Sequence, residues 1–337
     1  MPVNIYDVAK KAGVSVVTVS RVLNNSPKVR ANNRQKVLTA IADLDYQPNA
    51  VAQSLARGST GMVGLILPTV FDPFMAQVLA SVEGALRDKG MFLVTSFAAD
   101  DLQFGKANSV RLFRENRVDG ILILSPLKND ALFLELKKNN FPFVLLDQHH
   151  SHIQASSVTV DNYYGGYQAT NSLITAGAKR IGHIFGSGVY ESTAERLNGY
   201  KQALLDHNIA VDEALLAPGD FTIYSGYKIT KEWIIRGILP QAIFAADDNT
   251  AFGVIDAARK FRIAVPEKLA IIGYDDHPFA SLLHPALSTV RQPTEELGRQ
   301  GVELLSSLIS GKIKRTTTII LKPEIVLRES TLSINNC

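Results

Sequence analysis

Acidic side chains collect at particular points of this 337-residue chain, each at the end of an apolar run. Asp72 follows Gly61–Pro68, Asp147 ends Pro142–Asp147, and Asp161 with Asn162 closes a run that starts at Val158. Asp247, Asp248 and Asn249 end Ala242–Asp247, and Asp275 with Asp276 follows Leu269–Tyr274. Phe74, Arg196 and Phe221 stand in the segments between. Carboxylates, amides and a guanidinium bind hydroxyls in pairs, and a phenyl face stacks on a sugar ring or a base. These residue types describe a polar small-molecule site.

Other chemistries fit less well. Two acids flanking a bond are what glycoside hydrolysis needs, but adjacent acids on a strand (Asp247/Asp248, Asp275/Asp276) point to opposite faces. His149, His150 and His152 have no cysteine to complete a zinc site and read as a polar loop. Gly182–Gly188 follows Arg180 like a phosphate loop, yet lacks the Gly-Lys-Ser/Thr ending. There is no Gly-x-Ser-x-Gly elbow. No enzymatic activity and no cofactor are expected.

The elements that must position these residues follow from the hydrophobic rhythm. Apolar runs at Gly61–Pro68, Met91–Ala98, Val118–Ser125 and Pro142–Asp147 alternate with helical segments at Phe74–Lys89 and Leu102–Asn116. A second series begins at Val158–Asp161 and continues with Arg180–Phe185, Ala242–Asp247 and Leu269–Tyr274. Continuous apolar strands between helices mean parallel sheets covered on both faces. Two series imply two doubly wound lobes, at about 61–160 and 162–290. The segment Leu287–Ser330 adds a strand, a helix at about Thr294–Ile309 and two last strands. Ligands of such sheets bind at the carboxyl ends of the strands, and between two lobes they bind in the cleft.

The first 60 residues differ. They hold eight Lys/Arg against three Asp, a net +5, whereas the whole chain is +3 and the remainder therefore −2. A basic head on a near-neutral body points to a polyanion. Asn4 and Asp7 form a capping pair ahead of Ile5, Val8, Ala9 and Ala12; Gly13 interrupts, and Ser15 caps a second helix with Val19, Val22 and Leu23 inward. Two helices with glycine in a short turn make a helix-turn-helix. A third is expected from about Ala31 to Leu44, with Val37, Leu38, Ile41 and Leu44 on its inner side. The second helix keeps a polar face of Ser15, Thr18, Ser20, Arg21 and Asn24. Arg21 can donate bidentately to guanine, hydroxyls and amides suit phosphates, and Val16 and Val17 can only meet thymine methyls. Beyond it, Asn49 to Gly58 reads as a helix too short to stand alone, capped by Asn49 and offering Val51, Ala52 and Leu55.

Ile5 to Asn24, Tyr46-Gln-Pro-Asn49 and Ala50-Val-Ala-Gln-Ser-Leu-Ala56, together with the two-lobed pattern, resemble the lac repressor/gal repressor (LacI/GalR) family over nearly the whole chain. The resemblance implies a small all-α helix-turn-helix headpiece (1–48), a hinge helix (49–58) and an α/β two-lobed doubly wound core (59–337) of the periplasmic-binding-protein-like type I. In such a core the chain crosses between lobes three times, with 291–321 in the first lobe and 322–330 in the second. By position, Val16, Val17 and Arg21 would meet bases, and Tyr6, Thr18, Ser20 and Asn24 phosphates. Leu55, on the hinge with Asn49 and Ala52, would wedge into the minor groove. Effector contacts would come from Arg196 and Asp275, then Phe74, Ser192, Phe221 and Asp248. Three departures stand out: two valines where a polar residue is common, Arg30 in place of a serine helix cap, and Asp247 in place of asparagine.

A regulator of this type is expected to bind a pseudo-palindromic operator as a homodimer and to act as a repressor of carbohydrate use, controlled by a small sugar. A phosphorylated carrier protein or a purine is the alternative signal. The chain has 46% hydrophobic and 20% charged residues, as a globular protein does. Its one cysteine is Cys337, and Met1–Asp7 has no secretory pattern. A cytoplasmic protein without membrane spans is expected.

Overall fold

The structure is a computed structural model that describes residues 3–24, 26–47, 54, 58–97, 108–124, 131–148 and 154–331. It separates into two compact units, Met1–Gly61 and Met62–Cys337.

In the first unit, α1 (Ile5–Ala12) starts at a capping box: the Asn4 side chain accepts from Tyr6 and Asp7 N–H, and Asp7 accepts from Asn4 N–H. Gly13 at φ 66° ends it in the left-handed region, where a glycine carries no Cβ penalty. Helices α2 (Val16–Leu23) and α3 (Ala31–Asp43) follow, and Val8, Val19, Val22, Val37 and Ala40 fill the space between the three. Leu38 departs from the expected inner side: it is 47% exposed, and Ala40 is buried instead. Ala40 belongs to the small core shared by the three helices. Arg30 makes no side-chain cap to α3; the Arg34 guanidinium donates to the Ser26 carbonyl at 2.7 Å across the same corner.

The second unit holds two lobes. In the first, β1 (Met62–Leu67), β2 (Phe92–Phe97), β3 (Gly120–Ile123), β4 (Phe143–Leu146), β5 (Ser157–Val160) and the late β11 (Thr318–Leu321) form one parallel sheet in the order β2-β1-β3-β4-β5-β11. Leu65, Leu67 and Leu122 pack under α4 (Pro73–Asp88) and α11 (Thr294–Ile309). Ile66, Ile121 and Ile123 face the other way, under α5 (Asn108–Arg114) and α6 (Ala131–Lys138). Burial on both faces is why these strands read as unbroken apolar runs. The run at Val158, which starts the second series in the sequence, lies in the first lobe's sheet between β4 and β11, within the expected bounds of 61–160. Periodicity tells strand from helix but not which sheet a strand joins.

The second lobe has the parallel sheet β7-β6-β8-β9, from β6 (Ile181–Phe185), β7 (Leu216–Pro218), β8 (Ala242–Ala245) and β9 (Ala270–Ile272). An antiparallel ribbon of β10 (Thr289–Arg291) and β12 (Glu324–Val326) joins it through the Ile272–Ser288 bridge. Helices α7 (Asn162–Thr175) and α8 (Glu191–Asp206) cover one face, α9 (Ile223–Ile235) and α10 (Asp248–Lys260) the other. The chain passes between lobes three times, at Asp161, at Gln292-Pro293 and at Lys322-Pro323. Helices α7 and α8 approach closely because Gly166 and Gly199 meet there: a Cβ on Gly199 would lie 2.1 Å from the Tyr163 carbonyl oxygen, and one on Gly166 2.3 Å from that of Arg196. That contact sets where Arg196 starts.

Candidate functional site

The first candidate surface is the outer side of α2. Ser15 Oγ accepts from Thr18 N–H at 3.3 Å and lies 3.0 Å from Thr18 Oγ1, so this pair fixes the helix start. Val17 is 57% exposed, and Arg21 and Asn24 are exposed beside it. Val16 is only half-exposed because it also packs on the three-helix core. Ser20 is half-buried, and its carbonyl accepts from Asn24 Nδ2 at 3.0 Å. Tyr6 stands 70% exposed on the first turn of α1. Asn49, Ala52 and Leu55 lie outside the described residues.

The second candidate is the cleft between the two lobes of the core. Each lobe sends a helix N-terminus into it. Asp72, at the start of α4, accepts from Phe74 and Met75 N–H at 2.8 and 3.4 Å; Asp247, at the start of α10, accepts from Thr250 N–H at 2.9 Å. Between them lies a narrow cavity lined by Asp72, Pro73, Phe74 and Gln77 from the first lobe. Asp247, Asp248, Asn249, Asp275 and His277 line it from the second.

Arg196, 5% exposed on α8, is held on three sides. Its Nε donates to Asn162 Oδ1 at 2.9 Å, one terminal nitrogen donates to the Ala246 carbonyl at 2.8 Å, and the guanidinium lies 3.6 Å from the centre of the Tyr274 ring. None of these partners is a carboxylate, so its charge is left for the acids around the cleft. Burial raises Asp147 to about 7, with Arg196 pulling the other way, and its Oδ1 is buried without a partner. Burial likewise raises Asp247 to about 6. Asp248 and Asp275 lie well above the usual carboxylate range for the same first reason, Arg196 again opposing at Asp275. Strained backbone coincides with the chemistry: Asp147, Phe221 and Asp275 sit at φ 52°, 64° and 105°. Perturbed acids and strained residues gather where a site must be pre-shaped for a ligand.

The residues expected at the effector site divide into groups. Phe74, Asp248 and Asp275 line the cavity. Phe74 is also anchored in the first lobe's core at 6% exposure. Asp248 has both oxygens engaged, by the Thr289 hydroxyl and by His277 N–H, each at 2.7 Å, so it braces the 273–277 loop. Asp275 accepts from Gln292 Nε2 at 2.7 Å. Ser192, Arg196 and Phe221 do not line this narrow cavity. Ser192 is buried in the first turn of α8, and the Phe221 ring lies on Gly186, edge-on to Tyr190 at 5.4 Å between centres. Asp72, Asp147, Asn162 and Asp247 were visible as strand-end residues without being placed in the site. Tyr190 and Gln292 carried no such signal; only the proline after Gln292 marks a crossing. Among the described residues no His/Cys/Asp/Glu cluster could hold a metal, and His149, His150 and His152 lie outside them.

Residues 4–49 match the model of the bacterial regulatory proteins, lacI family, and residues 170–331 that of a periplasmic-binding-protein-like domain. The HTH-type transcriptional regulator DegA of Bacillus subtilis (strain 168) is 33% identical, over 99% of this chain and 100% of its own. The chain belongs to the lacI family. The lac repressor dimer bound to operator and the anti-inducer ONPF superposes with a TM-score of 0.89 at 30% identity, covering 99% of this chain and 100% of that one. The transcriptional regulator CelR in its cellobiose complex superposes at 0.76 with 33% identity, covering 97% and 99%. This lacI-family member is thus a DNA-binding transcriptional regulator, with a helix-turn-helix head and a ligand-binding core, and not an enzyme. Among its described residues no helix is long and apolar enough to cross a membrane.

Proposed function

We propose that this regulator represses a carbohydrate-utilisation operon and that a small sugar in the interlobe cavity sets its affinity for the operator. The observation that carries the sugar is the balance of the cleft. Asp147, Asp247 and Asp275 all feel the charge of Arg196, whose guanidinium is already held by Asn162, Ala246 and Tyr274, and Asp72 adds a further acid to the cavity wall. Such a site asks for a ligand rich in hydroxyl donors, not for an anion. The cellobiose complex of CelR supports the same class.

On the DNA side, Val16, Val17 and Arg21 would read base edges, and Tyr6, Ser15, Thr18, Ser20 and Asn24 would hold phosphates and the helix start. Asn49, Ala52 and Leu55 would form the minor-groove hinge. One head grips one half-site, so a pseudo-palindromic operator calls for a homodimer. Leu55 wedged between base pairs costs a few kcal/mol in unstacking, offset by contact around the bend.

The alternatives have less support. A phosphorylated carrier protein needs cations on its docking helix, whereas Arg299, the one Lys/Arg of α11, is bound by Glu296 and Glu303 at 2.6 and 2.8 Å. A purine sandwich needs two free ring faces, whereas Phe74 is packed in a core and Phe221 rests on Gly186. Calorimetry of the full chain against sugars, sugar phosphates, purines and a phosphorylated carrier protein tests the reading. Binding of a neutral sugar supports it; binding of a purine or of a phosphocarrier alone refutes it.

A further inference from the structure

Asp275 and Asp276 are consecutive residues at positive φ, 105° and 55°. Neither is glycine, so each carries a backbone cost that lasts only where the surroundings hold it in place. The backbone is pinned from one side: Asp275 N–H donates to the Val290 carbonyl at 2.7 Å, and Asp276 N–H to Thr289 Oγ1 at 3.2 Å. The two side chains then part. Asp275 lines the cavity and Asp276 does not. Both Asp276 oxygens are taken by arginines, Oδ1 by Arg328 at 2.6 Å and Oδ2 by Arg291 at 2.7 Å.

Both arginines stand at the ribbon of β10 and β12, where two of the three crossings begin and end. Arg291 ends β10, directly before the crossing at Gln292-Pro293. It also pairs at 3.5 Å with Glu324, the first residue of β12 after the crossing at Lys322-Pro323. Arg328 follows β12, and its other terminal nitrogen donates to the Leu287 carbonyl at 2.8 Å, ahead of β10. Gln292 Nε2 returns to Asp275 at 2.7 Å. Two residues on, Thr294 Oγ1 donates to Gln77 Oε1 at 3.0 Å, on the first lobe's wall of the cavity. The crossing at Asp161 is tied to the third, because Asp161 N–H donates to the Leu321 carbonyl at 2.9 Å. Any change of angle between the lobes has to be absorbed at these crossings. Replacing a buried ion pair by apolar side chains is often neutral for folding, so stability alone is a weak reason for this one.

We propose that Asp276 is a positioning residue that couples the cavity to the crossings. By holding Arg291 and Arg328 it makes one unit of the loop that presents Asp275 and the strand end that enters the second crossing. A ligand that displaces Asp275 then carries Gln292 and Arg291 with it, and the angle between the lobes follows. Asp276 itself stays off the ligand. The inference rests on control of operator binding by a small molecule in the cavity, whether or not that molecule is a sugar.

Two assays on the full chain test it. Calorimetry with glucose, galactose, ribose, cellobiose and hypoxanthine gives cavity affinity, and anisotropy on a duplex selected by the wild-type chain gives operator affinity with and without each compound. In Asp276→Asn, affinity for the compound that wild type binds should stay within about threefold, and ligand-free operator affinity within about twofold. The factor by which that compound changes operator affinity should fall at least about threefold. Arg291→Gln, at a half-exposed position, should lower the same factor with less risk to the fold and decides the matter if Asp276→Asn does not fold. Asp276→Glu keeps the charge and should retain more of the factor than Asp276→Asn. A factor unchanged from wild type makes the ion pairs a structural brace and overturns the proposal. So does a loss of ligand affinity large enough to account for the lost effect on operator. In either case control from the cavity still stands; if no compound alters wild-type operator affinity, that control falls and the coupling role with it.

Discussion

Replacing Asp247 by asparagine removes a buried charge while keeping the start of α10. The present side chain is 3% exposed and accepts from Thr250 N–H at 2.9 Å. Asparagine caps a helix as well as aspartate, so that hydrogen bond survives. What goes is the cost of an anion whose carboxyl burial raises from 3.8 to about 6. At ~1.4 kcal/mol for each unit, the ionised group costs the folded core about 3 kcal/mol. Between pH 3.8 and about 6 the folded chain holds a proton that the unfolded chain has released, so stability falls as pH rises. The full cost is present above about 6 and absent below 3.8. Asp247→Asn should therefore be more stable than wild type by about 1–3 kcal/mol at pH 8 and equal to it near pH 4. Trp233, the single tryptophan and 3% exposed in the second lobe's core, reports urea unfolding of that lobe directly. A less stable Asp247→Asn at pH 8, or a gain independent of pH, would refute the reasoning.

Other perturbations probe the remaining parts. Arg196→Lys keeps the charge, but an ammonium cannot serve Asn162 and Ala246 together or lie flat on Tyr274; sugar affinity should drop at least ~10-fold by calorimetry, with ligand-free operator binding unchanged. Gly199→Ala drives a methyl against the Tyr163 carbonyl and should cost about 1–3 kcal/mol in urea unfolding, displacing Arg196 as well. Arg21→Ala should lose ~1–3 kcal/mol of operator affinity and relax the base preference, measured on single-site operator variants. Leu55→Ala should weaken operator binding strongly and leave sugar affinity intact; normal operator binding would reduce 49–58 to a linker.

The fold was open to reading because the inner strands of the two parallel sheets, such as β3, β4 and β8, are buried on both faces, which turns them into apolar runs, and because caps such as Asn4 and Ser15 mark helix starts. The hinge expected at 49–58 came from the family resemblance, because ten residues with weak helical signals do not announce one. Less was legible where tertiary contact decides. Val158 reads the same whichever sheet receives it, and Leu38 looks like core although Ala40 is the residue buried there. At the site, type and spacing brought out the strand-end acids but not their roles. Asp248 spends both oxygens on Thr289 and His277, while Asp147 keeps one unpartnered. Gln292 reaches Asp275 only because the second crossing folds back beside β9. Charge was the exception: the surplus of acids over arginine in the cleft follows from residue types at strand ends.

Sequence-specific DNA binding governed from the cleft is open to one direct measurement. The full chain selects duplexes from a random pool, and anisotropy then follows the best of them across a salt series, with and without each sugar. The selected duplexes should be pseudo-palindromic, and affinity should fall steeply with salt as phosphate contacts release counterions. At least one sugar should shift the affinity by a factor matching a coupling of ~1–3 kcal/mol. Equal binding to random DNA, or selected DNA that no cleft ligand affects, would contradict it.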